Sequence, residues 1–347
     1  MTLPRFADHS FDELTARLAE WGEPPYRARQ LFQWAYVRGA ETYAAMSDVP
    51  RGLRQRLQQE WALVTCAIRT RRTGEDETTK YLIGLADGQA VEAVYMPARA
   101  RRTLCVSTQV GCKFTCAFCA SGKAGFVRPL ATGEIVEQVL IANRHQRARV
   151  DHLVVMGMGE PLDNYDAMLK ALRILNHPAG LRIGARRMTI STVGLVPRIL
   201  QLAKEEMQFE LSISLHGADD ATRGRIMPVN RRYPVGELLE AARAYTAQTK
   251  RIITFEYILI RGVNDRPAAA RELARRLSPF PCRVNLIPLN PIADYEGERP
   301  ERGDVLAFAK VLKAARVNAT VRWSRGGDID AACGQLRLRL QKVPGTS

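Results

Sequence analysis

The chain has 347 residues, enough for one large domain with an appendage or for two domains, and enough to bury a full core without disulfide or metal staples. Hydrophobic residues make up 46% and charged residues 25%, a balance that excludes wholesale disorder and a fibrous repeat. The formal charge is +15 and unevenly placed: residues 1–100 hold 13 basic and 13 acidic side chains, so the surplus falls entirely on the 38 basic and 23 acidic residues that follow.

Residues 1–62 read as a small helical module. Ser10-Phe11-Asp12-Glu13 forms a capping box, Leu14, Leu18 and Trp21 follow at helical spacing, and Gly22 is the stop. A second helix is expected over 26–37, with Leu31, Phe32, Trp34 and Ala35 on its apolar side, and a third over 52–61. From 63 to 100 the pattern changes to short strands with turn signals at 73–76 and 86–88, read as a β extension. The strand over 89–95 places Glu92 among apolar neighbours.

From 101 to 340 strand candidates alternate with helical patterns. The strands are 103–108, 153–156, 188–192, 209–215, 252–260, 283–289 and 320–323; the helices are 133–145, 165–175, 234–249, 267–277 and 305–315. Repeated βα units with buried strands imply an α/β protein with a parallel sheet, closed as a barrel or curved and partly open. Residues 341–347 read as a tail. No uncharged stretch reaches a dozen residues, so no membrane span is expected. Arg5, Asp8, Asp12 and Glu13 stand where a signal peptide would need an apolar run, so the expected location is the cytoplasm.

Seven cysteines are present, an odd number, and Cys112, Cys116 and Cys119 fall within eight residues directly after the first strand of the βα series. In a reducing compartment this argues for metal or redox chemistry over a disulfide framework. Three thiolates can hold three irons of a 4Fe-4S cube and leave the fourth iron open to a small molecule. A zinc site is the alternative, and it needs a fourth ligand; no histidine lies between His9 and His145, and Cys105 sits one strand away. Cys112, Gly159, Ser191, His216, Asn290 and Cys333 all lie at or just after strand ends, where βα barrels gather their reactive groups. The basic surplus suggests a polyanionic partner, since clustered Arg and Lys are rewarded by counterion release from phosphates.

The C-x3-C-x-Phe-C run at 112–119 resembles the signature of the radical S-adenosylmethionine (SAM) superfamily. The stretches 104–112 (LCVSTQVGC), 157–161 (GMGEP), 214–216 (SLH) and 325–336 (RGGDIDAACGQL) closely resemble the RNA methyltransferases that modify carbon 2 of adenine, the RlmN type. The similarity runs from about 11 to 340. It implies a radical SAM partial (β/α)6 barrel over 101–340 with a C-terminal catalytic cysteine loop, a small N-terminal helical accessory domain that helps dock RNA, and a β-hairpin extension. Where the wider superfamily often has Gly-Gly-Glu-Pro, this chain has Met158-Gly159-Glu160-Pro161, the form expected in the adenine methyltransferases.

By this resemblance Cys112, Cys116 and Cys119 bind the cluster, Gly159 and Glu160 meet the amino and ribose side of SAM, and Ser191, Ser214, Leu215, His216 and Asn290 complete its pocket. Carbon 2 of adenine lies between two ring nitrogens and is too electron-poor to attack the methyl group of SAM, so a polar transfer is closed. The family's route, as the resemblance implies it, has Cys333 take a methyl group from one SAM. A radical derived from a second SAM then activates that S-methyl group for addition to the base. Cys105 would close a disulfide with Cys333 to expel product, and Glu92 aligns with a glutamate treated as the proton acceptor; which of the two takes the proton stays open. Cys66 and Cys282 match no family motif and read as buried apolar residues.

The implied substrates are an adenine of 23S ribosomal RNA near the peptidyl-transferase centre and the adenine beside the anticodon in some transfer RNAs. Such a base must be exposed or flipped to reach a buried cluster. Arg101, Arg102, Lys123, Arg128, Arg186, Arg187, Arg231 and Arg232 are candidates for a phosphate-gripping rim. An external, flavodoxin-type electron donor and a monomeric state are expected. Three rival readings are methylation of carbon 8 of the same ribosomal adenine, a non-catalytic zinc-dependent RNA-binding module, and a radical SAM activase acting on a protein.

Overall fold

The computed structural model describes residues 3–290, 292, 295–323 and 329. Cys333, the rest of the 325–336 run apart from Ile329, and the 341–347 tail lie outside the described residues.

The N-terminal module contains helices α1 (Phe11–Glu20), α2 (Tyr26–Phe32) and α3 (Arg51–Glu60). The capping box forms as read: Ser10 Oγ accepts from the Glu13 amide, and Glu13 accepts from the Ser10 amide. The helix expected over 26–37 runs as an α-helix only to Phe32 and widens into a π-turn over Gln33–Val37. This leaves Trp34 half-buried and Val37 exposed while Ala35 and Tyr36 stay inside.

Strands β1 (Ala67–Thr73), β2 (Thr79–Gly84) and β3 (Ala90–Ala98) form an antiparallel meander. It is not a separate hairpin: β3 pairs antiparallel with β4 (Arg101–Cys105), so the meander continues the main sheet. A short hairpin, β5 (Gln109–Gly111) and β6 (Phe126–Pro129), brackets the cysteine loop and the single turn α4 (Ala120–Lys123). The strand expected over 103–108 ends at Cys105: the Val106 amide makes one last bond to Val154 O, opposite Cys105 on the next strand, and the Ser107 amide turns away to Gln138 Oε1.

The remaining strands β7 (His152–Val155), β8 (Met188–Thr192), β9 (Glu210–Ser214), β10 (Ile253–Leu259), β11 (Cys282–Pro288) and β12 (Asn318–Val321) lie parallel to β4 in chain order. Crossovers run through α5 (Thr132–Gln146), α6 (Tyr165–Asn176), α7 (Val196–Leu202), the pair α8 (Asp220–Ile226) and α9 (Val235–Thr249), α10 (Pro267–Leu277) and α11 (Arg302–Ala314). Six βα units closed by a seventh strand make a partial (β/α)6 barrel. Because each strand is added beside the last and parallel crossovers are right-handed, the helices all pack on one face of the sheet. Leu153, Val155, Met188, Ile190, Leu211, Ile213, Phe255 and Leu286 on that face belong to the main core. Alternate residues, among them Ser191, Ser212, Ser214, Thr254, Glu256 and Asn285, point to the other side, so the inner face is polar. Helices α7 and α8 were not expected; seven residues are too few for a periodic signal.

The N-terminal module is fastened to α5 through two glutamates one turn apart. Glu134 accepts from Arg5 Nη2 at 2.8 Å and from Arg128 Nη1 and Nη2 at 2.8 and 3.0 Å. Glu137 accepts from the Thr65 and Cys66 amides and from Thr65 Oγ1, all within 2.8 Å, while burial pushes its carboxyl upward. His177 at the end of α6 stacks on Phe11 at 4.3 Å, and Lys170 pairs with Glu13. Arg128, a candidate for a phosphate-gripping rim, is half-buried and pairs with Glu134 and Asp87. Among the described residues no helix is long and apolar enough to cross a membrane.

Glu134→Gln leaves two guanidinium groups facing a neutral amide in a buried site. It should lower stability by about 3 kcal/mol, the usual cost of breaking one side of a buried ion pair. The midpoint of denaturant unfolding, followed by far-ultraviolet circular dichroism, reports it.

Candidate active site

The cysteine loop owes its shape to the β5–β6 hairpin. Gly111 has φ +75, and a Cβ there would collide with the carbonyl of Gly125, so only glycine lets the two strands close. The Cys112 amide then donates to Gly125 O at 3.0 Å. Within the loop the Cys116 amide donates to Phe114 O, the Cys119 amide to Cys116 O, and the Ala117 amide to Ile226 O on α8. Burial pushes the Cys112 thiol up to about 12 and the Cys116 thiol further in the same direction, with neighbouring sulfurs adding to both. Such thiols stay protonated at neutral pH unless a metal displaces the protons.

The loop after β7 is held by two side chains from the 104–112 stretch. Ser107 Oγ donates to Glu92 O at 2.6 Å and accepts from the Met158 amide at 2.8 Å. Gln109 Oε1 accepts from the Glu160 amide, and Gln109 Nε2 donates to Asp163. Gly159 has φ +97, and a Cβ there would lie 2.5 Å from Gln109 Cβ, so this turn too requires glycine.

Glu160 is fully enclosed. Its two oxygens accept from the Leu162 amide at 3.1 Å and the Val193 amide at 2.8 Å, joining the loops after β7 and β8. Burial pushes the carboxyl up to about 7 against the opposing pull of these donors and of Thr192. No cation is among its partners in these contacts, so it is suited to meet one from a ligand.

His216 has φ +54, a strained conformation held by several bonds. Its Nδ1 accepts from the Ile258 amide at 3.0 Å, and its carbonyl accepts from Asn264 Nδ2. An acceptor at Nδ1 fixes the proton on Nε2. Burial, and then the charge of Arg223, push the ring down to about 3, so it is a neutral wall and not an acid or base near pH 7.

Arg223 was not anticipated. Fully buried, it donates to Val193 O at 2.6 Å, Leu215 O at 3.1 Å, Asn230 Oδ1 and Tyr233 O, tying the loops after β8 and β9 together. In sequence it is one arginine among many on a short helix, and only the neighbouring Asp219 cap marks the helix that delivers it.

These loops surround one cavity of about 120 Å³ at the carboxyl ends of the strands. Cys112, Cys116, Cys119, Gly159, Glu160, Ser191, Ser214 and His216 line it together with Phe118, Thr192, Val193 and Met227. Leu215 is not a lining residue: it is buried in the core, and its carbonyl holds Arg223. Asn290, half-buried just past β11, and Cys105 and Glu92, both buried on the meander side, do not line the cavity either. Among the described residues no three His, Cys, Asp or Glu side chains are grouped to hold a single metal ion, and no disulfide joins the described cysteines. Three cysteines lining one cavity suit three corners of an iron–sulfur cluster. Cys66 and Cys282 are buried in the core, as expected.

The radical SAM superfamily profile matches residues 106–274, and the profile of a ribosomal RNA large subunit methyltransferase N-terminal domain matches 6–63. A probable dual-specificity RNA methyltransferase RlmN from Geobacillus kaustophilus is 43% identical over 98% of this chain and 94% of its own length. One from Symbiobacterium thermophilum is 47% identical over 96% and 91%. The chain belongs to the RlmN family. A radical SAM methyltransferase from Sphaerobacter thermophilus, 46% identical, superposes with a TM-score of 0.93 over 96% of this chain and 98% of that one. The radical SAM family membership implies SAM and a 4Fe-4S cluster, and the cavity's sulfur wall and buried carboxylate suit both groups.

Three outcomes are expected at this cavity. Gly159→Ala forces a side chain into the left-handed region against Gln109, and should cost about 2 kcal/mol of stability and most SAM affinity, read by calorimetry. SAM binding should also weaken in acid. Below about pH 7 Glu160 takes up a proton and can no longer pair with an ammonium group, so affinity falls roughly tenfold between pH 8 and pH 6. Glu160→Gln should bind weakly with a flat pH profile.

Proposed function

We propose that this protein methylates carbon 2 of adenine in RNA, acting on an adenine of 23S ribosomal RNA in the peptidyl-transferase region and on the adenine beside the anticodon of transfer RNA. The observation that carries the reading is the single cavity lined by the three clustered cysteines, Glu160, Ser191, Ser214 and His216, in a chain alignable almost end to end with RlmN relatives. Those relatives are named as dual-specificity RNA methyltransferases.

Cys112, Cys116 and Cys119 hold a 4Fe-4S cluster in this reading, which leaves one iron for SAM. When bound, the cluster supplies the electron for reductive cleavage of SAM. Glu160 faces the ammonium of SAM, Ser191 and Ser214 offer hydroxyls from the strand ends, and His216 presents its Nε2 proton from a fixed ring. Cys333 is the nucleophile that accepts a methyl group from a first SAM and delivers that carbon to the base, so each turnover consumes two SAM. Glu92 accepts the proton that carbon 2 must lose, and Cys105 closes a disulfide with Cys333 as product departs. A flavodoxin-type protein supplies the electrons, and the enzyme works as a cytoplasmic monomer.

Arg101, Arg102, Lys123, Arg186, Arg187, Arg231 and Arg232 of the proposed RNA rim are all exposed. Arg102 pairs with Asp151, and Arg186 bonds Gln208, so these two are partly committed within the protein.

The test is anaerobic reconstitution of wild type and Cys333→Ala with iron, sulfide, SAM, reductant and RNA, followed by mass spectrometry of the nucleosides. Wild type should yield 2-methyladenosine, and the variant should retain its cluster absorbance and form none. Equal product from both would refute the covalent route; 8-methyladenosine would move the reaction to the other ring carbon.

A further inference from the structure

The inner face of the meander carries a buried ion pair for which the cavity accounts in no way. Lys80 on β2 is 0% exposed, and its Nζ lies 3.4 Å from Glu92 Oε2 on β3. In register Lys80 stands opposite Val94 and Leu82 opposite Glu92, so the two charges meet diagonally on one face. Val94 in turn stands opposite Cys105 on β4, which puts lysine, glutamate and cysteine on the same side of three neighbouring strands. This face is not the one packed under the helices. Tyr81, Ile83, Val91 and Ala93, which alternate with these residues, belong to the main core, whereas Leu82 and Ala90 form a small apolar cluster of their own.

Burying an ammonium costs several kcal/mol before any pairing, and an apolar pair of similar volume is usually as stable or more so. Lysine is among the residues least often fully buried. Stability alone therefore gives little reason for Lys80 to be where it is. Its neighbour is the residue read above as the proton acceptor, and Glu92 is also tied to the cavity: its carbonyl accepts from Ser107 Oγ, which in turn accepts from the Met158 amide in the Gly159 turn.

We propose that Lys80 is a positioning residue whose ammonium holds the Glu92 carboxylate in one orientation on the inner face. The proposal rests on the reading of Glu92 as proton acceptor. A cation beside a carboxylate on a dry sheet face offsets its desolvation and restricts its side chain. Register also puts on this face Arg72, opposite Lys80 on β1, Cys105 and Arg101 on β4, His152 on β7 and, further along, Glu256 on β10.

The experiment uses the full-length, cluster-reconstituted enzyme with RNA and compares wild type, Lys80→Met, Lys80→Arg, Glu92→Gln and the double variant Lys80→Met/Glu92→Gln. Single-turnover formation of methylated nucleoside is followed across pH, with melting temperature recorded for each protein. Lys80→Met should lose at least about tenfold in rate near pH 7 and move the acid limb of its profile upward by about one pH unit or more, because its carboxylate has lost the cation. Lys80→Arg should recover most of the rate. The double variant should be no slower than Glu92→Gln alone, and should melt no lower than Lys80→Met because it no longer buries a carboxylate without the lysine beside it.

If the effects of Lys80→Met and Glu92→Gln multiply, or the acid limb of Lys80→Met stays in place, Lys80 does not act through Glu92 and the proposal falls while the role of Glu92 stands. A Glu92→Gln enzyme with the wild-type rate would remove Glu92 from the reaction, and the function of Lys80 with it.

Discussion

Everything in this molecule depends on a sheet with two unlike faces. One face is apolar and covered by helices, which supplies the burial that folds the chain. The other is lined by hydroxyls, an amide and carboxylates, and the one-directional addition of strands sends the described crossover helices away from it. A closed barrel of this size normally fills its interior with branched apolar side chains. A polar interior cannot be packed that way, so space remains at the strand ends, and the chemistry is placed there.

The loops around that space have little regular structure, so their backbone groups must find partners elsewhere. Buried side chains supply them. Ser107 and Gln109 satisfy the Met158 and Glu160 amides, Asn164 donates to Thr108 O and Leu130 O, and Asn264 donates to His216 O. Arg223 alone reaches carbonyls or side chains in three separate segments, and its guanidinium is pushed down to about 10 by burial without losing its charge at neutral pH. The cavity wall is therefore fixed before any ligand arrives, which reduces the ordering cost of binding.

Local signals were legible in the sequence and non-local ones were not. The cysteine loop, the capping box at Ser10 and the glycine turn at Gly159 each declare themselves within a dozen residues, and strand β8 occupies the span its alternation predicts. Arg223, Lys80, Glu134 and Glu137 are charged residues in otherwise ordinary helices or strands. What makes each of them internal is a partner between 12 and about 130 residues away, or a loop brought in by the fold. The ion pair of Arg128 was hidden for the same reason, since nothing local shows that Glu134 is buried behind it. Leu215 shows the limit of reading by neighbourhood: it lies between two lining residues, and strand alternation turns it into the core.

Three buried glutamates on the inner side show how one residue type can be given different tasks by its partners. Glu160 is held by backbone amides and a threonine, so its charge is solvated by dipoles, and a cationic ligand would complete it. Glu256 accepts from Ser212 Oγ and Asn285 Nδ2, both on adjacent strands, and braces the floor of the barrel. Glu92 faces an ammonium from the neighbouring strand, so its charge is already met within the protein. The same carboxylate thus meets amides, neutral side chains or a lysine according to its place in the fold, and on the strands those partners are set by register.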